Sequence, residues 1–135
     1  MLFHAALERL SYTYLLTMGH MTVSDYDKLK RTCERFQVFF NFLKIPVDIP
    51  KELVELSDYS QNFTSSKKNA PSIMTRIRNE FVHPKQRERF NPEVIFELWR
   101  LYAWYVEMSI LAILGYSGDV YDRITETIRK IHVKV

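Results

Sequence analysis

The stretch that decides the fold is Asn91–Leu114, which reads NPEVIFELWRLYAWYVEMSILAIL. Asn followed by Pro and Glu predicts a helix start, because Asn caps the first turn and Pro fits the first helical position. Apolar residues then surround the helix, and the charged residues fall on one stripe: Glu93, Glu97, Arg100 and Glu107. These charges argue against a membrane span, so we predict a central helix packed on several sides.

The apolar surface of this helix exceeds what one small bundle needs to bury, which indicates a partner interface. We interpret Trp99 and Trp104 as core or interface residues rather than as platforms for stacked bases. Because a symmetric assembly is the simplest way to cover such a surface, we expect a homodimer.

The rest of the chain also predicts helices, so the expected fold is all-α, a single domain built as a bundle of about five helices. The first helix begins without a cap, and we therefore expect that the domain is the C-terminal part of a longer protein. The other predicted elements are Leu2–Met18, Asp25–Leu43 with Ser24 as N-cap, a short helical piece at Lys51–Leu56, Pro71–His83, and a last helix from Ser117 or Asp119 to Ile131.

Composition limits the function classes. The chain has 135 residues, 47% of them hydrophobic, and a single cysteine. It can bury a core, and it can form neither an internal disulfide nor a zinc cage of thiolates. With no apolar signal segment at its start, we expect a cytoplasmic protein. No motif for a cofactor or metal is evident, so none is predicted.

The net charge of +3 is unevenly distributed. The segment 67–89 carries seven basic and two acidic residues, a local charge of +5. Such a segment favours an anionic partner, nucleic acid first, although a solvated loop is an equal alternative on charge alone. The predicted substrate-binding residues are Arg76, Lys85, Arg87, Arg89, Lys67 and Lys68. Tyr59 and Phe63, in the preceding polar stretch, are the candidates for base stacking.

Inside the basic segment, Ile77–Phe90 reads IRNEFVHPKQRERF. Arg78 and Asn79 are followed by three further residues, His83 and Pro84. Pro84 disfavours helix for its predecessor, so we predict that His83 closes a helix. Together with the helical pattern and the opening AALERL, this arrangement resembles the HEPN superfamily, including the HEPN domains of ApeA-like bacterial defence proteins.

The resemblance implies a metal-independent endoribonuclease acting on single-stranded RNA, with Arg78, Asn79 and His83 as catalytic residues and Glu8 in a supporting role. It also implies a composite active site at a dimer interface, a defence or toxin context, and a regulatory or antitoxin partner. Some HEPN toxins carry a tyrosine two places after the histidine, where this chain has Lys85. Some HEPN members have lost catalysis, so a nucleic-acid-binding, nucleotide-binding or dimerisation module is the alternative.

The residue types suit RNA cleavage. Histidine titrates near neutrality and can move a proton, while the guanidinium of arginine binds phosphate oxygens bidentately. Helix geometry separates Arg78 and His83 by about 140°, so one helix does not aim both at one point. Arg76 shares the face of His83 and is a rival phosphate ligand. Arg78 could instead pair with Glu97, and His4, His20 and His132 are given no function.

Overall fold

The computed structural model describes residues 2–62, 69–82 and 91–131. Its elements in chain order are α1 (Leu2–Tyr12), a π-helical turn (Thr13–Thr17), α2 (Val23–Asp27), α3 (Thr32–Phe42), α4 (Val54–Gln61), α5 (Ala70–Val82), α6 (Pro92–Ile113), β1 (Gly118–Asp122) and β2 (Thr127–Ile131). The protein is therefore mostly helical, but the expectation of a purely all-α fold is wrong because the chain ends in a β-hairpin.

Helix α6 is the centre of the fold, as its sequence predicts. The side chain of Asn91 accepts a hydrogen bond from the backbone N–H of Glu93 at 3.0 Å, and Pro92 opens the helix. Residues on several sides of α6 are buried, among them Tyr102 and Tyr105. The ring of Tyr105 stacks on Phe40 of α3 with 4.1 Å between the ring centroids. Burial of these large aromatic rings supplies much of the apolar core.

Two predicted helices are shorter than expected. The first ends as an α-helix at Tyr12 and continues as the π-helical turn, and the predicted helix Asp25–Leu43 is divided into α2 and α3. Thr22, rather than Ser24, caps α2, since its hydroxyl accepts a hydrogen bond from the backbone N–H of Asp25 at 3.1 Å. Arg31, in extended conformation, then ends the connection, and its backbone N–H donates to the carboxylate of Glu34 at 3.4 Å at the start of α3.

The predicted last helix is the hairpin of β1 and β2, which pair antiparallel with Gly118 opposite Ile131 and Asp122 opposite Thr127. Asp122 explains the turn, because its buried carboxylate accepts hydrogen bonds from the backbone N–H groups of Ile124 and Thr125. Glu126 takes a left-handed conformation with φ of 57°, which ends any helical path. The β-branched residues of this segment also favour strands over helix.

The hairpin loop rests on α6. The guanidinium of Arg100 donates to the carbonyl oxygens of Arg123 at 2.7 Å and Ile124 at 3.0 Å, and Arg123 forms an ion pair with Glu107. Ile124 is buried in the core. Two residues of the charged stripe on α6, Arg100 and Glu107, thus anchor the hairpin, which covers part of the apolar surface that the sequence left without a partner.

Among the described residues, no helix combines the length and the apolar character that a bilayer crossing requires. Helix α6 is the longest, and it carries Glu93, Glu97, Arg100 and Glu107.

Candidate functional site

Helix α5 carries the first two residues of the predicted motif. Its apolar face is buried through Ile73, Met74 and Ile77, while Asn79 is exposed and Arg78 is half-buried. The Nη1 atom of Arg78 donates to Oδ1 of Asn79 at 3.3 Å. Consecutive helical residues point about 100° apart, so this contact shows that the arginine side chain bends along the surface towards the asparagine.

A buried hydrogen-bond chain lies behind this surface. Nδ1 of His4, in α1, is 2.8 Å from the hydroxyl oxygen of Tyr102 in α6. The Tyr102 hydroxyl also donates to the backbone carbonyl oxygen of Met74 in α5, at 3.2 Å. Since the hydroxyl proton is directed to Met74, Nδ1 of His4 is the donor of its bond to Tyr102. Three helices, α1, α5 and α6, are joined at one phenol oxygen.

Glu8 lies between the buried histidine and the surface. Its Oε1 atom lies 3.5 Å from Nε2 of His4, one helical turn earlier, and its side chain is 49% exposed. The half-exposed carboxylate is therefore accessible to solvent on one side and in contact with a 2% exposed imidazole on the other. Glu8 is the supporting residue that the sequence nominated, and its described partner is His4.

The charges in this region act on one another. Burial lowers the pKa of His4 below its ordinary value, the carboxylate of Glu8 opposes that shift, and the positive charge of Arg78 adds to it. Burial also raises the pKa of the Tyr102 hydroxyl, and Arg78 counteracts part of that rise. We call His4, Glu8, Arg78, Asn79 and Tyr102 the polar cluster.

The polar cluster has one unsatisfied group that faces inward. Among the described residues, no hydrogen-bond partner reaches the buried Nε atom of Arg78, although Nη1 binds Asn79. An unpaired buried N–H group costs free energy, roughly 1–3 kcal/mol. Because this N–H group is buried, only an acceptor inside the protein can reach it.

Several predicted site residues fall outside the described ranges. These are His83, Lys85, Arg87, Arg89, Lys67 and Lys68, together with Phe63 among the stacking candidates. The described residues of the prediction are Arg78, Asn79, Glu8 and Arg76. The first three meet in or beside the polar cluster, whereas Arg76 is exposed on α5. Tyr59 is half-buried in α4.

The alternative role for Arg78, an ion pair with Glu97, is not what the structure has. The carboxylate of Glu97 accepts hydrogen bonds from the backbone N–H groups of Glu55 at 3.4 Å and Leu56 at 2.8 Å. These are first-turn amides of α4, which otherwise have no partner within their own helix. Glu97 is thus a capping residue that fixes α4 on α6.

Sequence reasoning missed His4 and Tyr102. His4 was given no function, yet it is 2% exposed and has partners on two other helices. A weak signal was available, because His4 and Glu8 are spaced by four residues and so share one helix face. The pairing with Tyr102 spans 98 residues and had no local signal.

An apolar surface remains exposed near the polar cluster. Phe96 is 59% exposed and Trp99 is 44% exposed, and their ring centroids are 6.3 Å apart. Phe3 of α1 contacts Trp99 with ring centroids at 6.0 Å. Large exposed aromatic rings in a group are typical of protein interfaces. We call Phe3, Phe96 and Trp99 the aromatic patch.

Comparison with known proteins identifies the family. Residues 1–134 match the YopA C-terminal domain. The chain belongs to that family. It is also similar to the SPbeta prophage-derived protein YopA of Bacillus subtilis (strain 168), with 31% identity over 122 residues. The match covers 88% of this chain and 26% of that relative, so the chain spans about a quarter of the length of the relative. No solved structure matches the chain.

In the described ranges, no group of three or more His, Cys, Asp or Glu side chains is arranged to hold a metal ion. The features of this YopA C-terminal domain that bear on function are the polar cluster, the aromatic patch and the terminal hairpin.

Proposed function

We propose that this chain is a HEPN-like endoribonuclease domain that cleaves single-stranded RNA in the cytoplasm without a metal ion. The observation that carries the proposal is the position of Arg78. Its guanidinium is half-buried, donates from Nη1 to Asn79 at 3.3 Å, and acts electrostatically on His4 and Tyr102. A half-buried guanidinium beside an exposed amide suits a phosphate.

The proposed reaction uses the nucleophile that RNA already carries. The 2′-hydroxyl attacks the adjacent phosphorus and loses its proton to a base, and the 5′-oxygen leaves with a proton. The products are a 2′,3′-cyclic phosphate and a 5′-hydroxyl. His83 moves one of these protons, and Arg78 with Asn79 stabilises the charge that develops on the phosphate oxygens.

The cluster behind Arg78 has a positioning role in this proposal. The buried chain of His4, Tyr102 and the Met74 carbonyl fixes α1 and α6 against α5. It therefore fixes the helix that carries Arg78 and Asn79. Glu8 and Arg78 act on His4 in opposite directions, since the carboxylate raises the pKa of the imidazole and the guanidinium lowers it.

A homodimer is part of the proposal, because two copies of the motif would complete one another across a two-fold axis. The aromatic patch supports an interface on this side, since Phe96 and Trp99 are exposed rings on α6. Replacing Trp99 by Glu should shift the protein to monomer in sedimentation equilibrium and lower RNA cleavage. Tyr121→Glu, an exposed aromatic position on the hairpin, is the matched control.

The defence or toxin context, with a regulatory or antitoxin partner, is supported by the prophage origin of the Bacillus subtilis relative. Genes carried by a prophage often act in conflict between phage and host, and an RNA-cleaving protein in that setting requires control. Because the chain spans about a quarter of that relative, such a regulator can be another part of a longer polypeptide.

The non-catalytic alternative also has an observation in its favour. The bonds among His4, Tyr102 and Met74 form a buried structural network, and the aromatic patch suits an interaction module. Analysis of the RNA products distinguishes the ribonuclease from the non-catalytic module. Purified protein incubated with RNA in EDTA should yield fragments ending in 2′,3′-cyclic phosphate and 5′-hydroxyl, and leave DNA uncut. RNA binding without fragments would support the alternative.

A further inference from the structure

A cleft of about 410 Å³ lies on the other side of Glu8. It is formed by α1, α2 and α3 and is lined by Glu8, Arg9, Tyr12, Tyr26, Thr32 and Arg35, with a few smaller contributions. Its volume is within the range of small-molecule sites, roughly 300–1,000 Å³. Apart from Glu8, none of these residues belongs to the polar cluster.

Two arginines give the cleft its chemistry. The guanidinium of Arg35 lies 4.6 Å from the ring centroid of Tyr26, and its Nε donates to the carbonyl oxygen of Leu29 at 3.0 Å. Arg9 lies 6.0 Å from the ring centroid of Tyr12. The salt bridges among the described residues involve neither arginine. Arg35 is held by its ring contact and by its bond to Leu29, whereas Arg9 is exposed beside Tyr12. Neither ring neutralises a guanidinium, which leaves the positive charge of both for an anion.

The surroundings of the cleft add further positive potential. Thr32 is the first residue of α3, a helix of 11 residues, so the positive end of the helix dipole lies at the cleft wall, where the first-turn carboxylate of Glu34 offsets part of it. Lys30 and Arg31 precede it and are exposed. Among the lining residues, Glu8 is the counter-charge, and its carboxylate is within 3.5 Å of the His4 ring.

An aromatic surface lies beside the cations. Tyr12 is 44% exposed, and its ring meets the buried ring of Tyr26 edge to face, with centroids 5.9 Å apart. The Tyr26 ring is covered by Arg35, and Arg9 lies over the Tyr12 ring at 6.0 Å, but the Tyr12 side chain keeps a large exposed area. Planar bases stack on such tyrosine rings, and the interaction is worth about 1–3 kcal/mol per base.

We infer that the cleft binds a nucleoside monophosphate unit, with its phosphate on Arg9 and Arg35 and its base on Tyr12. The carboxylate of Glu8 accepts hydrogen bonds from donors of the sugar or the base. The source of the unit is a free nucleotide or the 5′-phosphorylated end of a single strand, which present the same groups. This site is separate from RNA cleavage, since a mononucleotide contains no internal phosphodiester to cut.

The inference is tested by calorimetric titration of the whole chain with four ligands: adenosine 5′-monophosphate, adenosine, inorganic phosphate and a 5′-phosphorylated 2′-O-methyl oligonucleotide. The oligonucleotide lacks the 2′-hydroxyl nucleophile and so cannot be cleaved. The monophosphate should bind at least about tenfold more tightly than adenosine or phosphate, because both subsites are then used. Binding by the oligonucleotide but not by the monophosphate would assign the site to a strand end. Binding by neither would overturn the inference.

Variants locate the site. Arg9→Ala and Tyr12→Ala should each raise the Kd by about tenfold, and Tyr12→Phe should retain binding because the ring remains. Lys130→Ala, which removes an exposed cation on β2, should have no effect. Arg35→Lys keeps the charge at a half-buried position and should weaken binding without unfolding the protein. Unchanged affinity in both Arg9→Ala and Tyr12→Ala would place the nucleotide elsewhere and contradict the proposed cleft.

Discussion

Nδ1 of His4, near the start of the chain, lies 2.8 Å from the hydroxyl oxygen of Tyr102, 98 residues later. The same hydroxyl donates to the Met74 carbonyl. Because an unmade hydrogen bond in a buried site costs more than a made one contributes, this junction constrains three helices at once. It also connects the fold to the proposed chemistry, since the positive charge of Arg78 acts to lower the pKa of both side chains.

Tyr102→Phe should destabilise the protein by about 1–3 kcal/mol, because it leaves the Nδ1–H group of His4 and the Met74 carbonyl without their partner while the ring is retained. Urea denaturation gives the free energy of unfolding directly. The control is Tyr121→Phe, a hydroxyl removed from a 56% exposed tyrosine, which should change stability by less than about 0.5 kcal/mol. Equal losses in the two variants would refute the junction.

The stability of the protein should fall as the pH decreases from about 7 to about 5. Burial holds the pKa of His4 below its ordinary value of 6.5, so the unfolded chain takes up a proton before the folded one does. Glu8 on the same helix opposes this shift, and Arg78 from α5 reinforces it, while the neighbouring Tyr102 of α6 stays neutral in this range. The loss begins near the unfolded pKa and ends below the folded one.

His4→Gln should reduce this pH dependence, because it removes the buried titrating group. Denaturation curves at several pH values provide the comparison. A steeper loss of stability in His4→Gln than in the wild type would show that another group causes the dependence.

Much of the helical fold could be predicted from the sequence, because caps and apolar periodicity are local signals. Asn91 and Pro92 predict the start of α6. Gly115, which has a φ of 69°, follows the end of the helix. The hairpin was not predicted, because an acidic residue is typical both of the first turn of a helix and of a turn between two strands. Asp122 fixes the turn only in the folded chain, where its carboxylate accepts hydrogen bonds from the backbone N–H groups of Ile124 and Thr125.

The candidate site also has one part that the sequence predicts and one part that it does not. Arg78 and Asn79 are neighbours in sequence, so their pattern is readable in one chain. The contact of His4 with Tyr102, and the capping of α4 by Glu97, depend on how α6 packs against other helices. Such tertiary pairings are set by the summed packing of the core, and no local motif specifies them.

Asp122→Ala should destabilise the hairpin by about 1–3 kcal/mol, since two backbone N–H groups lose their acceptor. Arg129 loses its ion-pair partner in the same variant. Asp119→Ala, at an exposed position on the same strand, should be nearly neutral. Amide hydrogen exchange across β1 and β2 measures the effect, and equal protection in both variants would contradict the role of Asp122.

Affinity for single-stranded RNA should weaken steeply with salt if the segment 67–89 contacts phosphates, because each contact releases counterions. Replacing Arg87 and Arg89 together by Ala should lower the affinity for all sequences alike and reduce the salt slope by about 2. Fluorescence anisotropy at several salt concentrations measures both quantities. Lys51→Ala, an exposed cation before α4, is the control. An affinity that does not change with salt would remove the electrostatic argument.

The most direct test of the account is RNA cleavage in EDTA by matched preparations of the wild type, His83→Ala and Arg78→Lys. We expect His83→Ala to lower the rate by about 10²–10⁴, the usual effect of removing a positioned acid or base. Arg78→Lys keeps the charge beside His4 and Tyr102, so the protein should stay folded, but the loss of bidentate geometry should lower the rate comparably. We predict that the wild type cuts RNA and that both variants, although folded, do not. Equal rates in all three preparations would contradict the claim that Arg78 and His83 carry the reaction.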